Sequence, residues 1–140
     1  MTPVKPEAEK PVSEKTSILI VDDDGHFRET LSDGLSLRRL DVQSATSGAE
    51  VLKSLERSTP SLILLDVQLP DIHGFDLCRI LKRSTRLKSV PVVFLSAKYT
   101  EPVDRAEGLL AGADAFLSKP VSLEALWEEV RYLLDKKQQF

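Results

Sequence analysis

Residues 62–66 read LILLD, four large apolar residues followed at once by an aspartate. A short run that is apolar on both faces is typical of a strand buried between two layers of helices in a parallel sheet. Residues 18–24 read ILIVDDD and have the same form, with an apolar run that ends in three aspartates. The two stretches predict buried strands that each carry acids at the carboxyl end.

Three further stretches have the length of strands, and helical segments separate all five. Residues 92–95 and 115–117 are apolar, whereas residues 41–45 are more polar and suit the edge of a sheet. Apolar residues at three- and four-residue spacing mark the helices: Phe27, Leu31 and Leu35; Val51, Leu52 and Leu55; Phe75, Cys78, Ile80 and Leu81; Val103, Ala106, Leu109 and Leu110; Leu123, Leu126, Trp127, Val130, Leu133 and Leu134.

Five alternating strand–helix units predict an α/β fold with a doubly wound parallel sheet. The flavodoxin-like (βα)5 sandwich, with strand order 2-1-3-4-5, is the arrangement that makes the first and third strands neighbours. Helix starts agree with this division. Asp24 and Ser122 are predicted N-caps, Ser47 and Glu50 have capping-box spacing, and Pro102 suits a first turn.

Composition excludes several classes of protein. The chain has 140 residues, enough for one domain, and 19 Lys and Arg against 22 Asp and Glu give a net charge of −3. That balance argues against a basic nucleic-acid-binding domain. No apolar run approaches the roughly 20 residues that span a bilayer, and we expect no membrane association. A single cysteine, Cys78, and the lack of an apolar signal segment predict a cytoplasmic protein.

The chain divides into three parts by composition. Residues 1–16 are rich in proline and charge, and they predict a disordered leader because they hold too little apolar surface to offset the entropy of ordering. Residues 17–137 form the predicted domain, and residues 138–140 form a short tail.

Polar residues follow the predicted strands directly. Asp22 and Asp23 follow the first strand, Asp66 the third, Ser96 the fourth, and Lys119 comes just after the fifth. Ligands of open parallel sheets bind beyond the carboxyl ends of the strands. Clustered carboxylates call for a hard cation, most simply Mg²⁺, and with a lysine and a hydroxyl beside them they suit phosphoryl transfer onto an aspartate.

At these residues the sequence resembles the receiver domains of two-component response regulators. The stretches that carry the resemblance are ILIVDDD, LILLDVQLPDIHG, VVFLSA and GADAFLSKP, in that order along the chain. The resemblance implies that Asp66 accepts a phosphoryl group and that Asp22 and Asp23 hold Mg²⁺, with Asp23 the more direct ligand and Asp22 acting through water. It also implies a third protein ligand, the backbone carbonyl of Gln68.

The same resemblance assigns the switching residues. Ser96 corresponds to the switch hydroxyl and Phe116 to the switch aromatic, which is expected to rotate inward when Ser96 moves toward the phosphoryl group. Lys119 corresponds to the lysine that pairs with that group, and the bond from Lys119 to Pro120 to the cis peptide of the family. Gly74 matches the glycine that opens the third helix.

The resemblance also implies the partners. The phosphoryl donor would be a histidine kinase or a histidine phosphotransfer protein. The surface of the fourth helix, fifth strand and fifth helix would bind the next partner, including a second copy in a homodimer. The domain would be a regulator that catalyses only its own phosphorylation and dephosphorylation, without direct nucleic-acid contact.

Other interpretations of the same residues remain open at this point. Asp22 and Asp24 fit the Asp-x-Asp motif of haloacid dehalogenase-type phosphatases, although Asp66 would then have no role. A receiver that acts only as a docking module, without phosphorylation, is a second alternative. The two histidines, His26 and His73, lack partners at metal-ligand spacing and are interpreted as exposed loop or helix-end residues.

Overall fold

The computed structural model describes residues 16–138, in which five strands alternate with five helices. The predicted leader and tail fall outside the described residues, except for Thr16 and Gln138. The strands are β1 (Ser17–Val21), β2 (Asp41–Ala45), β3 (Leu62–Asp66), β4 (Val92–Ser96) and β5 (Ala115–Ser118). The helices are α1 (Gly25–Ser36), α2 (Gly48–Arg57), α3 (Gly74–Arg83), α4 (Pro102–Leu110) and α5 (Leu123–Gln138).

All five strands pair in parallel, in the order β2-β1-β3-β4-β5, which confirms the predicted sheet. In the register between β1 and β3, Val21 pairs with Leu65. The residues that follow these two, Asp22 and Asp66, therefore leave the sheet side by side. Between β4 and β5, Ser96 pairs with Ser118, so Ser96 and Lys119 come from adjacent strand ends.

Alternate residues of each strand enter different cores, because successive side chains of a strand point to opposite faces. One core packs Leu19, Ile63 and Phe94 against α2 and α3. The other packs Ile20, Leu64 and Leu95 against α1 and α5. Burial on both faces explains why β1, β3 and β4 are continuously apolar, while β2, at the sheet edge, is largely exposed.

The predicted helix starts are confirmed with one difference. Asp24 accepts hydrogen bonds from the amides of His26 and Phe27, and Ser122 accepts one from Ala125. Ser47 caps α2 as expected, but the carboxylate of Glu50 turns to Thr46 rather than to the amide of Ser47. The hydroxyl of Thr46 supplies a second donor there, which explains the shift.

The predicted core face of α4 is wrong. Gly108 is the buried residue of this helix, whereas Val103, Leu109 and Leu110 are exposed, Leu110 to 86%. Gly108 allows the helix to approach β5 closely. A Cβ at this position would lie only 2.8 Å from the ring of Phe116. Close approach along the glycine leaves the apolar residues on the outer side. Leu52 and Ile80, also predicted to be core residues, are partly exposed at 43% and 42%.

None of the helices within residues 16–138 combines the length and the apolar character needed to cross a bilayer.

Candidate functional site

Three carboxylates meet at the carboxyl ends of β1 and β3. Asp22, Asp23 and Asp66 can each place one carboxylate oxygen within 4.8 Å of the others. Asp22 is buried, with 1% of its surface exposed, Asp66 is half-buried and Asp23 is exposed. The register between β1 and β3 brings together groups that lie more than forty residues apart in the chain.

The buried carboxylate of Asp22 has polar partners at both oxygens. Oδ2 lies 2.7 Å from Nζ of Lys119, and Oδ1 accepts a hydrogen bond of 2.9 Å from the amide of Asp24. The backbone carbonyl of Asp22 accepts a further bond of 2.7 Å from Arg28. A buried charge requires such pairing, and these contacts fix Asp22 in one orientation.

Lys119 is held over the acids from several sides. Its ammonium lies 4.1 Å from the ring centroid of Phe27, close enough for a cation–π contact. Its backbone amide donates to the carbonyl of Ser96 at 2.8 Å, and the peptide bond to Pro120 is cis, as the sequence resemblance implied. The lysine is thereby directed toward the carboxyl edge of the sheet and not toward solvent.

Asp66 is the acid whose proton affinity changes most clearly. Burial raises the pKa of Asp66 from its usual 3.8 to about 6, and the negative charge of Asp22 adds to the increase. The ammonium of Lys119 and the hydrogen bond from the amide of Gln68, at 3.3 Å, oppose the rise in this pKa. The net effect is a negative electrostatic potential at Asp66, which favours binding of a proton or a cation.

Ser96 ends β4 directly after Leu95, the residue that pairs with Asp66, and 1% of its surface is exposed. Its hydroxyl oxygen accepts hydrogen bonds from the amides of Lys98, at 3.2 Å, and Tyr99, at 2.8 Å. A hydroxyl has two acceptor lone pairs and one proton. With both lone pairs engaged, Ser96 can offer its proton to an acceptor in the site.

These residues surround one cavity of about 440 Å³. Its lining consists of Asp23, Asp66, Gln68, Leu69, Pro70, Ser96, Ala97, Lys98 and Lys119. One cavity therefore brings together the predicted residues Asp66, Asp23, Gln68, Ser96 and Lys119. Asp22 is not part of the lining and contacts the cavity residue Lys119. The cavity is open and bounded by charges of both signs, and it has the size for a small anion together with a cation.

Phe116 does not line this cavity. Its ring is 5% exposed and packs against Phe75 and Phe94, with centroids 6.2 and 5.8 Å away. Arg105 donates to the backbone carbonyl of Phe116 at 2.8 Å and lies 5.7 Å from its ring centroid. The ring already occupies a buried position in this structure, and its rotation on phosphorylation stays a prediction.

Two residues that shape the loop between β3 and α3 were missed as functional by sequence reasoning. Asp71 accepts hydrogen bonds from the amides of Gly48, at 2.8 Å, and Ala49, at 3.0 Å, at the start of α2. These amides lower the pKa of Asp71. No local pattern predicts this contact, because its partners lie 23 and 22 residues away.

His73 is the second of these residues. It caps α3, as Nδ1 accepts a hydrogen bond from the amide of Phe75 at 3.2 Å, and its backbone bridges to Gln68. The prediction of a helix-end position is confirmed, but the residue is half-buried and not exposed. The signal available in the sequence was its place directly before Gly74 and an apolar helix.

The acid cluster fits a hard cation. Carboxylate oxygens are ligands that Mg²⁺ prefers, and the burial and neighbouring charge of Asp22 that raise the pKa of Asp66 favour a bound cation. The phosphatase alternative fits less well. Asp24, which that motif requires in the site, uses its carboxylate to cap α1 and stands outside the cluster.

Known proteins resemble this chain in both sequence and fold. Residues 18–131 match the family model described as the response regulator receiver domain. The transcriptional regulatory protein GltR of Pseudomonas aeruginosa is 42% identical over 122 residues, which cover 87% of this chain and 50% of GltR. The chain thus spans about half the length of such curated relatives.

Solved structures agree with the family model. A putative response regulator from Chloroflexus aurantiacus superposes with a TM-score of 0.82 at 31% identity, covering 87% of this chain and 99% of that one. A CheY-like receiver domain protein from Methanospirillum hungatei gives 0.84 at 28% identity, covering 90% and 98%. The chain belongs to the response regulator receiver domain family.

Proposed function

We propose that Asp66 takes a phosphoryl group from a phosphohistidine of a partner histidine kinase or histidine phosphotransfer protein. The observation that carries the proposal is the cluster of Asp22, Asp23 and Asp66 within 4.8 Å beside the ammonium of Lys119. Three carboxylates this close repel one another, so the arrangement favours ligands that neutralise them. A cation and a phosphoryl group that Lys119 can pair with meet that requirement.

The transfer itself is a substitution at phosphorus. An oxygen of the Asp66 carboxylate forms a bond to phosphorus while the bond between phosphorus and the histidine nitrogen breaks, and that nitrogen then takes a proton from solvent. Positioning and charge neutralisation drive such reactions, and a general base is not needed. In agreement, the described residues that line the cavity include no histidine or cysteine.

We assign the Mg²⁺ ligands to Asp23, Asp66 and the backbone carbonyl of Gln68, with Asp22 acting through water. Both oxygens of Asp22 already accept hydrogen bonds from protein groups, whereas Asp23 is exposed at the cavity wall. A bound Mg²⁺ would supply charge neutralisation for the acids and for the phosphoryl oxygens.

Switching follows from the added charge. A phosphoryl group brings about −1.5 to −2 charges and three strong acceptor oxygens. Charge-assisted bonds from Ser96 and Lys119 would contribute roughly 1.5–3 kcal/mol each, against about 5.5 kcal/mol for a shift from 1:99 to 99:1. Two such bonds suffice if the inactive arrangement is favoured by only a few kcal/mol.

The output surface in this proposal is formed by α4, β5 and α5. Its α4 part exposes Val103, Leu109 and Leu110, three apolar side chains that a partner could cover. Arg105 connects this helix to the backbone of Phe116 in β5. The next partner would be a protein, including a second copy, and not nucleic acid, since the net charge of −3 is unfavourable for phosphate contacts.

Labelling with radioactive acetyl phosphate and Mg²⁺ tests the phosphoacceptor. We expect stable incorporation into the wild-type protein, none into Asp66→Asn, and loss of labelling when Mg²⁺ is chelated. Asp41→Asn is the matched control, because Asp41 is an exposed acid on the edge strand and should label normally. A wild-type protein that stays unlabelled with acetyl phosphate and with phosphorylated histidine kinases would support the docking-only alternative.

A further inference from the structure

The loop between β4 and α4 is held by an aromatic contact that the phosphoacceptor chemistry alone does not explain. The ring of Tyr99 lies edge-on to the ring of His73, with centroids 5.4 Å apart and planes at 69°. Tyr99 is half-buried against the core below α3. Aromatic rings prefer this edge-to-face geometry, so the contact fixes the tyrosine to the start of α3.

His73 is itself rigidly placed. Its Nδ1 accepts the amide hydrogen of Phe75, its backbone bridges to Gln68, and its ring lies 4.8 Å from the ring of Phe75. The neighbouring amide of Gly74 donates to the carbonyl of Val67 at 2.6 Å. The histidine therefore moves with the backbone that carries Asp66 and Gln68, and it gives Tyr99 a fixed surface to rest on.

The backbone of Tyr99 in turn holds Ser96. The amide of Tyr99 makes the shorter of the two hydrogen bonds accepted by the Ser96 hydroxyl, 2.8 Å against 3.2 Å for Lys98. Because both lone pairs are engaged, the hydroxyl can act only as a donor. Phosphoryl oxygens are acceptors, so this is the polarity that a phosphorylated Asp66 requires.

We propose that His73 and Tyr99 are positioning residues that hold the Ser96 hydroxyl as a hydrogen-bond donor for the phosphoryl group. The inference rests on the proposed function of Asp66 and adds to it a link between the two loops that border the cavity. Neither ring lines the cavity. They act by keeping the amides of the β4–α4 loop in place around Ser96, so that less conformational freedom is lost when the ligand binds.

The test measures the affinity for beryllofluoride, a phosphoryl mimic, in the presence of Mg²⁺ by isothermal titration calorimetry. His73→Asn keeps a capping side chain for α3 but removes the ring. Tyr99→Leu removes the other ring and keeps apolar burial. We expect each variant to bind beryllofluoride about two- to tenfold more weakly, the range of one aromatic pair. The affinity for Mg²⁺ alone is expected to stay unchanged.

Two controls separate positioning from a general structural defect. Tyr99→Phe keeps the ring and the backbone amide and should bind beryllofluoride like the wild-type protein. In a Ser96→Ala background, His73→Asn and Tyr99→Leu should cause no further loss, because their effect passes through the Ser96 hydroxyl. A purely structural defect would weaken binding in that background as well.

The beryllofluoride affinities decide whether the two rings position Ser96. Unchanged or tighter beryllofluoride binding in both single variants overturns the role of the two rings, as does an equal loss with and without Ser96. In either case the proposed function is still supported if the wild-type protein binds beryllofluoride and this binding depends on Asp66. A wild-type protein that binds no beryllofluoride contradicts the proposed function and the inference together.

Discussion

At the scale of single residues, Asp66 is subject to opposing electrostatic effects. Burial and the charge of Asp22 raise its pKa, while Lys119 and the Gln68 amide lower it, and the result is about 6. The carboxylate is therefore less stable than in water when no cation is present. Above this pH the carboxylate is ionised, as its proposed role as a phosphoryl acceptor requires.

This shift predicts how stability depends on pH. The folded protein binds the Asp66 proton more tightly than the unfolded chain does, because its pKa rises from 3.8 to about 6. The stabilising contribution is complete below about pH 4 and is lost as the pH rises through 6. With Mg²⁺ chelated, we expect Asp66→Asn to gain about 1–2 kcal/mol over wild type between pH 4 and 7, after allowing for solvent screening.

Urea unfolding of both proteins across that pH range is the measurement. Addition of Mg²⁺ at pH 7 should raise the free energy of unfolding of the wild-type protein more than that of Asp66→Asn, since the cation offsets the repulsion among the acids. Parallel pH curves for the two proteins would show that Asp66 titrates normally and would contradict the expectation.

At the scale of elements, the start of α3 determines where the backbone after Asp66 runs. A Cβ on Gly74 would lie 2.7 Å from the carbonyl oxygen of Asp66 and 2.8 Å from Cα and the carbonyl oxygen of Val67. All three are backbone atoms that cannot turn aside. The helix thus begins in contact with the strand end that carries Asp66, and only glycine allows that contact.

Gly74→Ala should consequently destabilise the fold by about 1–3 kcal/mol, the usual cost of overpacking. It should also slow labelling by acetyl phosphate, because the backbone of Asp66 must shift. Gly25→Ala, at the first position of α1, is the matched control. Its Cβ would meet nothing closer than 3.7 Å, and alanine is the better helix former.

Thermal unfolding and labelling rates of the two alanine variants give the comparison. If the Gly74→Ala and Gly25→Ala variants are labelled at the same rate and unfold at the same temperature, the backbone between α3 and the end of β3 can shift to accommodate a Cβ. That result would contradict the expectation.

At the scale of the whole molecule, the two sides of α4 have different surroundings. Its inner side carries Gly108 against Phe116, and Arg105 reaches the backbone of β5. Its outer side exposes Val103 to 70% and Leu110 to 86%. A displacement of α4 would therefore alter an apolar surface that a partner could bury.

A charge placed on that surface tests its proposed role. Leu110→Glu should weaken beryllofluoride-dependent self-association at least tenfold, because a carboxylate cannot be buried unpaired, while labelling of Asp66 stays normal. Sedimentation velocity with and without beryllofluoride measures the association. Leu37→Glu is the control, since Leu37 follows α1 and is similarly exposed, at 83%. Equal effects of the two variants, or none, would argue against a dimer through α4.

Much of the fold followed from local composition. The apolar runs ending in Asp22 and Asp66, the polar edge strand and the helix caps Asp24 and Ser122 all could be predicted, because burial on both faces and unsatisfied helix amides impose requirements on neighbouring residues. Parallel pairing then made the convergence of the acids a consequence of strand order.

Contacts between distant segments could not be predicted from local sequence. Asp71 on the amides of α2, Tyr99 against His73, and the outward apolar side of α4 each depend on how elements pack after they form. A periodic pattern shows that a helix has an apolar side, but not which element covers it. Short stretches of chain determine the strands and the acids at the strand ends. The orientation of α4 and the contact of Tyr99 with His73 arise instead from three-dimensional packing, in which residues far apart compete for the same space.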